Sequence, residues 1–357
     1  MSSQAVGSGF WVASNRFVTC AHVIGEAKAR ISVHTRNGER YWPRVVRFFS
    51  VTDDVAVLEL DSPHHTWLTL AGRADLNDPV CSVANSEGAE VLKLDYGKII
   101  SEGPRFIEIS AKIKPGCSGG PIVSANGEVV GMSSFVRWEN VAIREGRIVY
   151  DTRFDKARRF AVKAGLLHDA VQTSYSQPGI SVARAASLYI EHKYGSTVVR
   201  LYDLVANPFA ESLRTKLTFA HRYQKRPVAT IGTPKGRLYH EGGEVVEDRF
   251  ELIAGDTTPL RHVLPLSESL GEVIRELQSQ TLASPRLQQI LGDIELLSVE
   301  VRQYARDYLS IAGQPGRNSY KLTDVERRRG ILTRKLRAVE QQVKTLRDGL
   351  REQPAHD

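Results

Sequence analysis

The sequence predicts an all-β N-terminal half followed by an α-rich C-terminal region that ends in an antiparallel helical hairpin. Three observations carry that expectation. From Gly7 to about Val171, short apolar runs alternate with turn residues, the pattern of a β-sandwich or β-barrel. Beyond about Gln172 that pattern stops. Towards the C-terminus, apolar positions recur at alternating intervals of three and four, as on the buried face of a helix.

The strands follow in order. Phe10–Ala13 and Arg16–Thr19 flank Ser14-Asn15, a hairpin signal. Ala29–His34 and Tyr41–Val46 flank Asn37-Gly38, the strongest short-range hairpin cue. Val55–Leu60, Val80–Val83, Gly97–Ser101 and Arg105–Ile109 are further runs, and Ile122–Ser124 and Val129–Met132 bracket Asn126-Gly127. Ser174–Gly179 then has linker composition. Ser181–Tyr194 has helical character ended by Gly195, Thr197–Tyr202 has strand character, and residues 206–262 are mixed.

In the last part of the chain, Leu287, Ile290, Ile294, Leu297, Val301, Tyr304 and Tyr308 form one apolar stripe. Val325, Leu332, Leu336, Val339, Val343, Leu346 and Leu350 form a second, interrupted at Arg329. Thr323-Asp324-Val325-Glu326 matches a capping box, and Gly313, Pro315 and Gly316 mark a turn between the stripes. Two heptad-patterned helices with a short connection predict the hairpin.

Composition excludes several classes. The 357 residues are 41% hydrophobic and 25% charged, as in a water-soluble globular protein. No apolar run approaches the ~20 residues that span a membrane. The N-terminus lacks the basic and apolar segments of a secretory signal. Three scattered cysteines, Cys20, Cys81 and Cys117, suit neither a disulfide framework nor a zinc site, so a cytoplasmic protein with reduced thiols and no metal or cofactor is expected. The net charge of +7 is spread among 41 acidic residues and is expected to serve solubility, not nucleic-acid binding; Arg327-Arg328-Arg329 reads as a solvated basic face.

One stretch stands out chemically. Lys114-Pro115-Gly116-Cys117-Ser118-Gly119-Gly120-Pro121 sets one serine among three glycines. Glycines admit strained backbone and close approach, and a serine nucleophile needs backbone N–H groups converging beside it. A surface turn would also use Pro-Gly and Ser-Gly, so the stretch alone decides nothing. Val18-Thr19-Cys20-Ala21-His22 ends a predicted strand on a histidine, and Asp53-Asp54 precede the strand Val55–Leu60. Asp53 reads as a turn cap. In chain order the three stretches supply His22, Asp54 and Ser118, each at a strand edge: a base, an acid and a hydroxyl.

Gly7-Ser8-Gly9-Phe10, Thr19-Cys20-Ala21-His22-Val23, Asp54–Leu58 and Pro115–Pro121 together resemble the trypsin-like serine peptidases, and most closely the bacterial HtrA/Deg-type protease domains. The resemblance continues through Tyr96–Ser101 and Asn126–Gly131 and ends with Arg159–Val162 leading into a short helix, about half the chain. It implies a chymotrypsin-like fold of two six-stranded antiparallel β-barrels over residues 5–172. No carboxylate-binding loop of the PDZ domain usual in HtrA relatives is recognisable further on. Residues 173–280 are then a mixed α/β region of unknown role, and 281–353 the helical hairpin.

The same resemblance implies the chemistry. Ser118 is the expected nucleophile, His22 the general base and acid, and Asp54 the group that orients the histidine. The backbone N–H groups of Gly116 and Ser118 are the expected oxyanion hole. Ser133-Ser134-Phe135 resembles the edge strand that pairs with substrate backbone, and Ser134 matches the residue that supports the acid. Lys112 falls in the region that floors the first specificity pocket, where it would favour an acidic residue before the cut; a solvent-facing lysine is the alternative. Cys117 departs from the usual Asp or Asn before the serine. Viral relatives with a cysteine in the catalytic slot would make Cys117 the nucleophile, but in them Gly-Gly follows the nucleophile directly, and here Gly119-Gly120 follow Ser118.

The expected activity is hydrolysis of a polypeptide substrate through an acyl-enzyme, with the helical hairpin regulating it, recognising a protein partner or self-associating. Two alternatives stay open. One is a catalytically silent scaffold that uses the barrel as a binding module. The other, by analogy of fold alone, is a latent effector protease of a bacterial defence or stress system that a partner activates.

Overall fold

The computed structural model describes residues 7–27, 31–85, 91–138, 141–144, 147–150, 157–215, 217–227, 244–254, 256–312 and 319–352. It comprises two compact units, one running to Lys193 and the other beginning at Tyr194.

The first unit begins with β1 (Phe10–Ala13), β2 (Arg16–Thr19), the short helix α1 (Ala21–Gly25), β3 (Val33–His34), β4 (Arg40–Tyr41), β5 (Pro43–Ser50) and β6 (Val55–Leu60). β6 is buried along its whole length. Side chains alternate across a strand, so Val55 and Val57 join one core with Phe10, Val18, Met132, Val162 and Leu167. Ala56, Leu58 and Leu60 join another with Phe17, Ile24 and Val46. Each such aliphatic side chain contributes roughly 1.5–3 kcal/mol on burial.

Then come β7 (Pro79–Ala84), β8 (Lys93–Glu102), β9 (Phe106–Ile109), β10 (Pro121–Ser124), β11 (Val129–Trp138), β12 (Val141–Arg144), β13 (Arg147–Tyr150), β14 (Ala157–Lys163) and α2 (Ala164–Ser176). Six of these strands close a barrel in the order β10-β11-β14-β9-β8-β7. Ile99, Ile107, Ile109, Ile113, Cys117 and Ile122 are in its core.

The second closed barrel, expected in the first lobe, is not confirmed among the described residues. The strands of that lobe pair as a four-stranded sheet, β1-β2-β6-β5, and β3 and β4 form a separate two-stranded sheet. β3 and β4 contribute only two residues each to their ladder. Pro43, which opens β5, has no N–H to donate.

The expected boundary at residue 172 falls inside α2, because Leu167, Ala170 and Val171 are part of the core shared by the two lobes. Ser174, expected in a linker, lies in the last turn of α2, with its hydroxyl on Val171 O at 2.6 Å. The chain then returns to the first lobe, where Ile180 and Val46 exchange backbone hydrogen bonds of 2.8 and 2.9 Å.

The helix α3 (Val182–Arg214) runs through Gly195, where a stop was expected, and through Thr197–Tyr202, expected as a strand. Val198, Tyr202, Val205 and Phe209 recur at helical intervals and are all buried. That periodicity overrides the β propensity of the Thr-Val-Val run. β15 (Leu217–Pro227) and β16 (Glu244–Ala254) pair antiparallel, and α4 (Thr258–Gln280), α5 (Pro285–Ala312) and α6 (Ser319–Glu352) complete the chain.

α5 packs between α4 and α6. Asp307–Arg328 at 2.6 Å, Glu300–Lys335 at 2.6 Å and Asp293–Gln342 at 3.0 Å step down α5 while stepping up α6, so these two helices run antiparallel. Glu295–Gln278 at 3.4 Å and Arg306–Glu268 at 3.2 Å tie α5 to α4. The seven apolar positions of the first stripe, Leu287 to Tyr308, are all buried. In the second stripe Val325 to Leu346 are buried. Thr323 lies inside α6, so the expected capping box does not open that helix. The expected turn at Gly313, Pro315 and Gly316 lies outside the described residues. Among the described helices none is long and apolar enough to cross a membrane.

Candidate active site

The histidine, expected at the end of a strand, sits on the short helix α1. Cys20 keeps the extended conformation of β2 (φ −73°, ψ 145°), and the helix starts at Ala21. Asp54 ends a tight turn between β5 and β6. Ser50 Oγ donates to Asp53 Oδ2 at 2.8 Å and accepts from Asp53 N at 3.1 Å, so Asp53 caps the turn as expected. Arg105 Nη1 donates to Thr52 O at 3.2 Å and steadies the same turn. Asp54 itself has φ +56°, a left-handed conformation that Asp tolerates better than most residues.

These two elements bring the base and the acid together. His22 Nδ1 lies 2.9 Å from both Asp54 Oδ1 and Oδ2, and His22 N donates to Asp54 Oδ1 at 3.0 Å. Ser134 Oγ donates to Asp54 Oδ2 at 2.5 Å. Burial pulls the His22 pKa down, but the hydrogen bond and charge of Asp54 outweigh it, and the imidazole ends above its usual value. Burial pushes Asp54 up, yet its bond to His22, the His22 charge and the Ser134 hydroxyl hold it below the usual carboxylate range.

The loop that bears Ser118 joins β9 to β10. Cys117 points into the barrel core and is 2% exposed, whereas the next residue, Ser118, is half-buried at the surface. Consecutive residues thus face opposite ways, and only the serine is accessible. Gly116 and Gly119 have φ of +91° and +89°. A Cβ on Gly119 would lie 2.2 Å from Ser8 O, so that position admits glycine alone. Gly119 N donates to Ser133 O at 2.7 Å and Ser133 N to Gly120 O at 2.8 Å. Among the described residues the amides of Gly116 and Ser118 donate no hydrogen bond. The Ser118 hydroxyl donates to Ser134 O at 3.4 Å and makes no hydrogen bond to His22.

Two expected substrate contacts change. Ser133 is fully buried, and both its backbone groups are taken by Gly119 and Gly120, so it braces the loop and offers substrate nothing. Ser134 stands at the irregularity where the β11–β14 register shifts, which turns its side chain to Asp54. Beyond it, β11 continues to Trp138 paired with β14, whereas its pairing with β10 ends at Met132. Lys112 is exposed between buried Ala111 and Ile113 and forms no ion pair among the described residues, so it takes the solvent-facing alternative.

Two contributors were not assigned a role from sequence. Ser8 bonds the loop that bears Ser118, its Oγ to Gly116 O at 2.7 Å and its N to Ser118 O at 2.8 Å. Cys20 Sγ donates to Ser133 O at 3.2 Å. Small polar residues in a glycine-rich or apolar context give no sequence signal for such long-range bonds. Among the described residues, Cys20, His22 and Asp54 have potential metal donor atoms within 4.8 Å of one another. Burial, then the Asp54 charge, pushes the Cys20 thiol well up, and the Asp54 oxygens already accept from His22 and Ser134. Hydrogen bonding within the protein occupies this set.

A histidine–aspartate pair beside a glycine-flanked serine, mounted on a sheet and a closed six-stranded barrel, defines a class: residues 7–132 match the family of the trypsin-like peptidase domain. Within that class the matched stretch is similar to HtrA/DegP-type serine proteases. A probable periplasmic serine endoprotease DegP-like of Chlamydia trachomatis is 28% identical over 142 residues, 36% of this chain and 28% of that protein. A DegP-like relative of Halomonas elongata is 32% identical, over 37% of this chain and 29% of its own length. The serine protease HTRA1A of Danio rerio is 31% identical, over 36% of this chain and 30% of that protein. The chain thus spans less than a third of the length of these relatives.

Proposed function

We propose that the protein is a serine endopeptidase that cleaves polypeptides through an acyl-enzyme, using His22, Asp54 and Ser118. The observation that carries this reading is the convergence of His22 and Asp54 at 2.9 Å in the same unit as a surface serine whose own amide, like that of Gly116, donates no hydrogen bond among the described residues. Ser118 Oγ attacks the scissile carbonyl carbon while His22 Nε2 takes its proton. The oxyanion forms against the N–H groups of Gly116 and Ser118. Collapse expels the amine, protonated by His22, and water activated by the same histidine then releases the acyl group. Asp54 keeps Nδ1 protonated and stabilises the imidazolium. Losing one oxyanion donor from such a site costs about 100- to 1,000-fold in rate. To react, Ser118 exchanges its bond to Ser134 O for one to His22, a rotamer change on the ps–ns timescale.

Substrate backbone adds beside the part of β11 that begins at Ser134, next to the exposed ring of Phe135. The second unit regulates the peptidase or recruits a protein partner, through the helices around α5 or by self-association. The unbridged thiols of Cys20, Cys81 and Cys117 suit the reducing cytoplasm, where we locate the protein.

Fluorophosphonate labelling of the wild type beside Ser118→Ala and Cys117→Ala tests the assignment. Labelling lost in Ser118→Ala and kept in Cys117→Ala is expected; labelling that survives Ser118→Ala sinks it. A second reading, a latent peptidase switched on by a partner, is favoured by the Ser118 hydroxyl bonding Ser134 O in place of His22. It predicts a wild type that labels only after the partner is added. A wild type that never labels is left with the scaffold role.

A further inference from the structure

Resting on the peptidase reading above, we infer that Ser8 is a positioning residue that holds the oxyanion-binding loop in its working shape. Ser8 makes four hydrogen bonds. Its Oγ donates to Gly116 O at 2.7 Å and accepts from Asn85 N at 3.0 Å. Its N donates to Ser118 O at 2.8 Å, and its O accepts from Thr19 Oγ1 at 2.7 Å. A hydroxyl has one proton to give; with Asn85 N–H on one lone pair, that proton is committed to Gly116 O.

The consequence follows from the planarity of the peptide unit, in which fixing O and N–H fixes the whole plane. The Gly116–Cys117 plane is held at Gly116 O by Ser8 Oγ and at Cys117 N by Lys114 O, 3.0 Å away. The Ser118–Gly119 plane is held at Ser118 O by Ser8 N and at Gly119 N by Ser133 O. Between them lies the Cys117–Ser118 plane, which carries the Ser118 amide and is held at Cys117 O by Gly120 N at 2.9 Å. The carbonyls of both residues that bear the candidate oxyanion donors are therefore bonded by Ser8. At φ +91°, Gly116 has no Cβ to restrict it, so its direction depends on outside bonds. Thr19 lies three residues before His22, and so Ser8 also ties the loop to the end of β2, which leads into the helix that carries His22.

Any residue at position 8 supplies the main-chain bonds; only the hydroxyl is particular to serine. The test compares the full chain with Ser8→Val and Ser8→Thr, close in volume and differing in the hydroxyl. It reads peptide-substrate kcat and KM, the inhibition constant of a peptide aldehyde, and that of the product-like peptide acid. An aldehyde forms a tetrahedral adduct and senses the oxyanion donors, whereas the acid senses the groove.

In Ser8→Val we expect kcat to fall about tenfold or more and aldehyde binding to weaken by a like factor. KM and the peptide acid should stay within about twofold, and Ser8→Thr should recover most of the loss. Equal kcat in the Thr and Val variants overturns the inference, as does a parallel loss of aldehyde and acid binding. If Ser8→Val fails to fold, Ser8→Thr alone decides: folded with kcat within about threefold of wild type supports the inference, folded with kcat lower than that overturns it, and a misfolded Ser8→Thr overturns it too. A wild type without turnover or fluorophosphonate labelling overturns the peptidase reading itself, and this inference with it.

Discussion

Ser134 Oγ donates to Asp54 Oδ2 at 2.5 Å, on the carboxylate that also receives His22 Nδ1 at 2.9 Å and His22 N at 3.0 Å. The acid is thus held from β11 of the closed barrel and from α1 of the first lobe at once. It is half-buried, and hydrogen bonds from both lobes offset its desolvation. A hydrogen bond to a charged group contributes about 1.5–3 kcal/mol, so Ser134→Ala should destabilise the protein by roughly that much. It should lower kcat with little change in KM, as loss of orientation does. Thermal unfolding at constant pH beside steady-state kinetics checks both; an unchanged melting temperature would contradict the bond.

The pH profile follows from the His22–Asp54 pair. In the proposed mechanism His22 must be neutral to accept the Ser118 proton, so kcat/KM should rise with pH through the folded His22 pKa, which lies above the usual value. For stability the signs are opposite in the two partners. The raised His22 pKa stabilises fully below the unfolded value of about 6.5, and that contribution is lost as pH rises through the folded pKa. The lowered Asp54 pKa stabilises above the unfolded carboxylate value and is lost as pH falls through the folded pKa. Asp54→Asn removes the largest of the influences that raise His22 and leaves its burial, with Glu26 and Lys193 acting in opposite directions, so the imidazole should titrate lower than in the wild type. Histidine Cε1–H shifts against pH measure this, and an unmoved midpoint would refute it.

The thiols should divide by burial. Cys20 and Cys117 are buried and Cys81 is partly exposed. Native protein should react with a bulky aromatic disulfide at Cys81 alone, and unfolded protein at all three cysteines. Cys117→Ala leaves a small void in the barrel core and should cost about 1–2 kcal/mol of stability without abolishing fluorophosphonate labelling. Rapid native modification of Cys117 would mean that the residue beside Ser118 faces outward.

Tyr304 and Tyr308 are fully buried on α5, with ring centroids 6.0 Å apart and neither hydroxyl hydrogen-bonded. Burial pushes Tyr308 up to about 12 and Tyr304 further still. An unpaired buried hydroxyl costs about 1–3 kcal/mol, so Tyr304→Phe and Tyr308→Phe should each be neutral or stabilising. Denaturant unfolding tests this, and a loss of stability above about 1 kcal/mol in either variant would reveal a partner for that hydroxyl.

Much of the chain was legible because its signals are local. Asn126-Gly127 marks the turn between β10 and β11, where Gly127 has φ +82°. The apolar run from Val55 to Leu58 lies in a strand buried along its length, and the alternating spacing from Leu287 to Tyr308 corresponds to a buried helix face. Less was legible where tertiary contacts overrode local preference. Thr197–Tyr202 has the composition of a strand, yet its buried positions follow helical spacing. Ser133 and Ser134 are identical in type and adjacent. One bulge in the β11–β14 register sends the first to the loop that bears Ser118 and the second to the acid.

By itself the sequence determined which residues were available for the site, His22, Asp54 and Ser118, and the order in which the elements bearing them occur. Residue chemistry, turn residues and hydrophobic period are properties of short segments. Only the tertiary structure decided the rest: that Cys117 is buried in the core while Ser118 is at the surface, that β1, β2, β6 and β5 of the first lobe pair as one sheet, and that Ser8 reaches Gly116 across 108 positions. Those outcomes depend on hydrogen bonds and packing between segments remote in the chain, which no local pattern encodes.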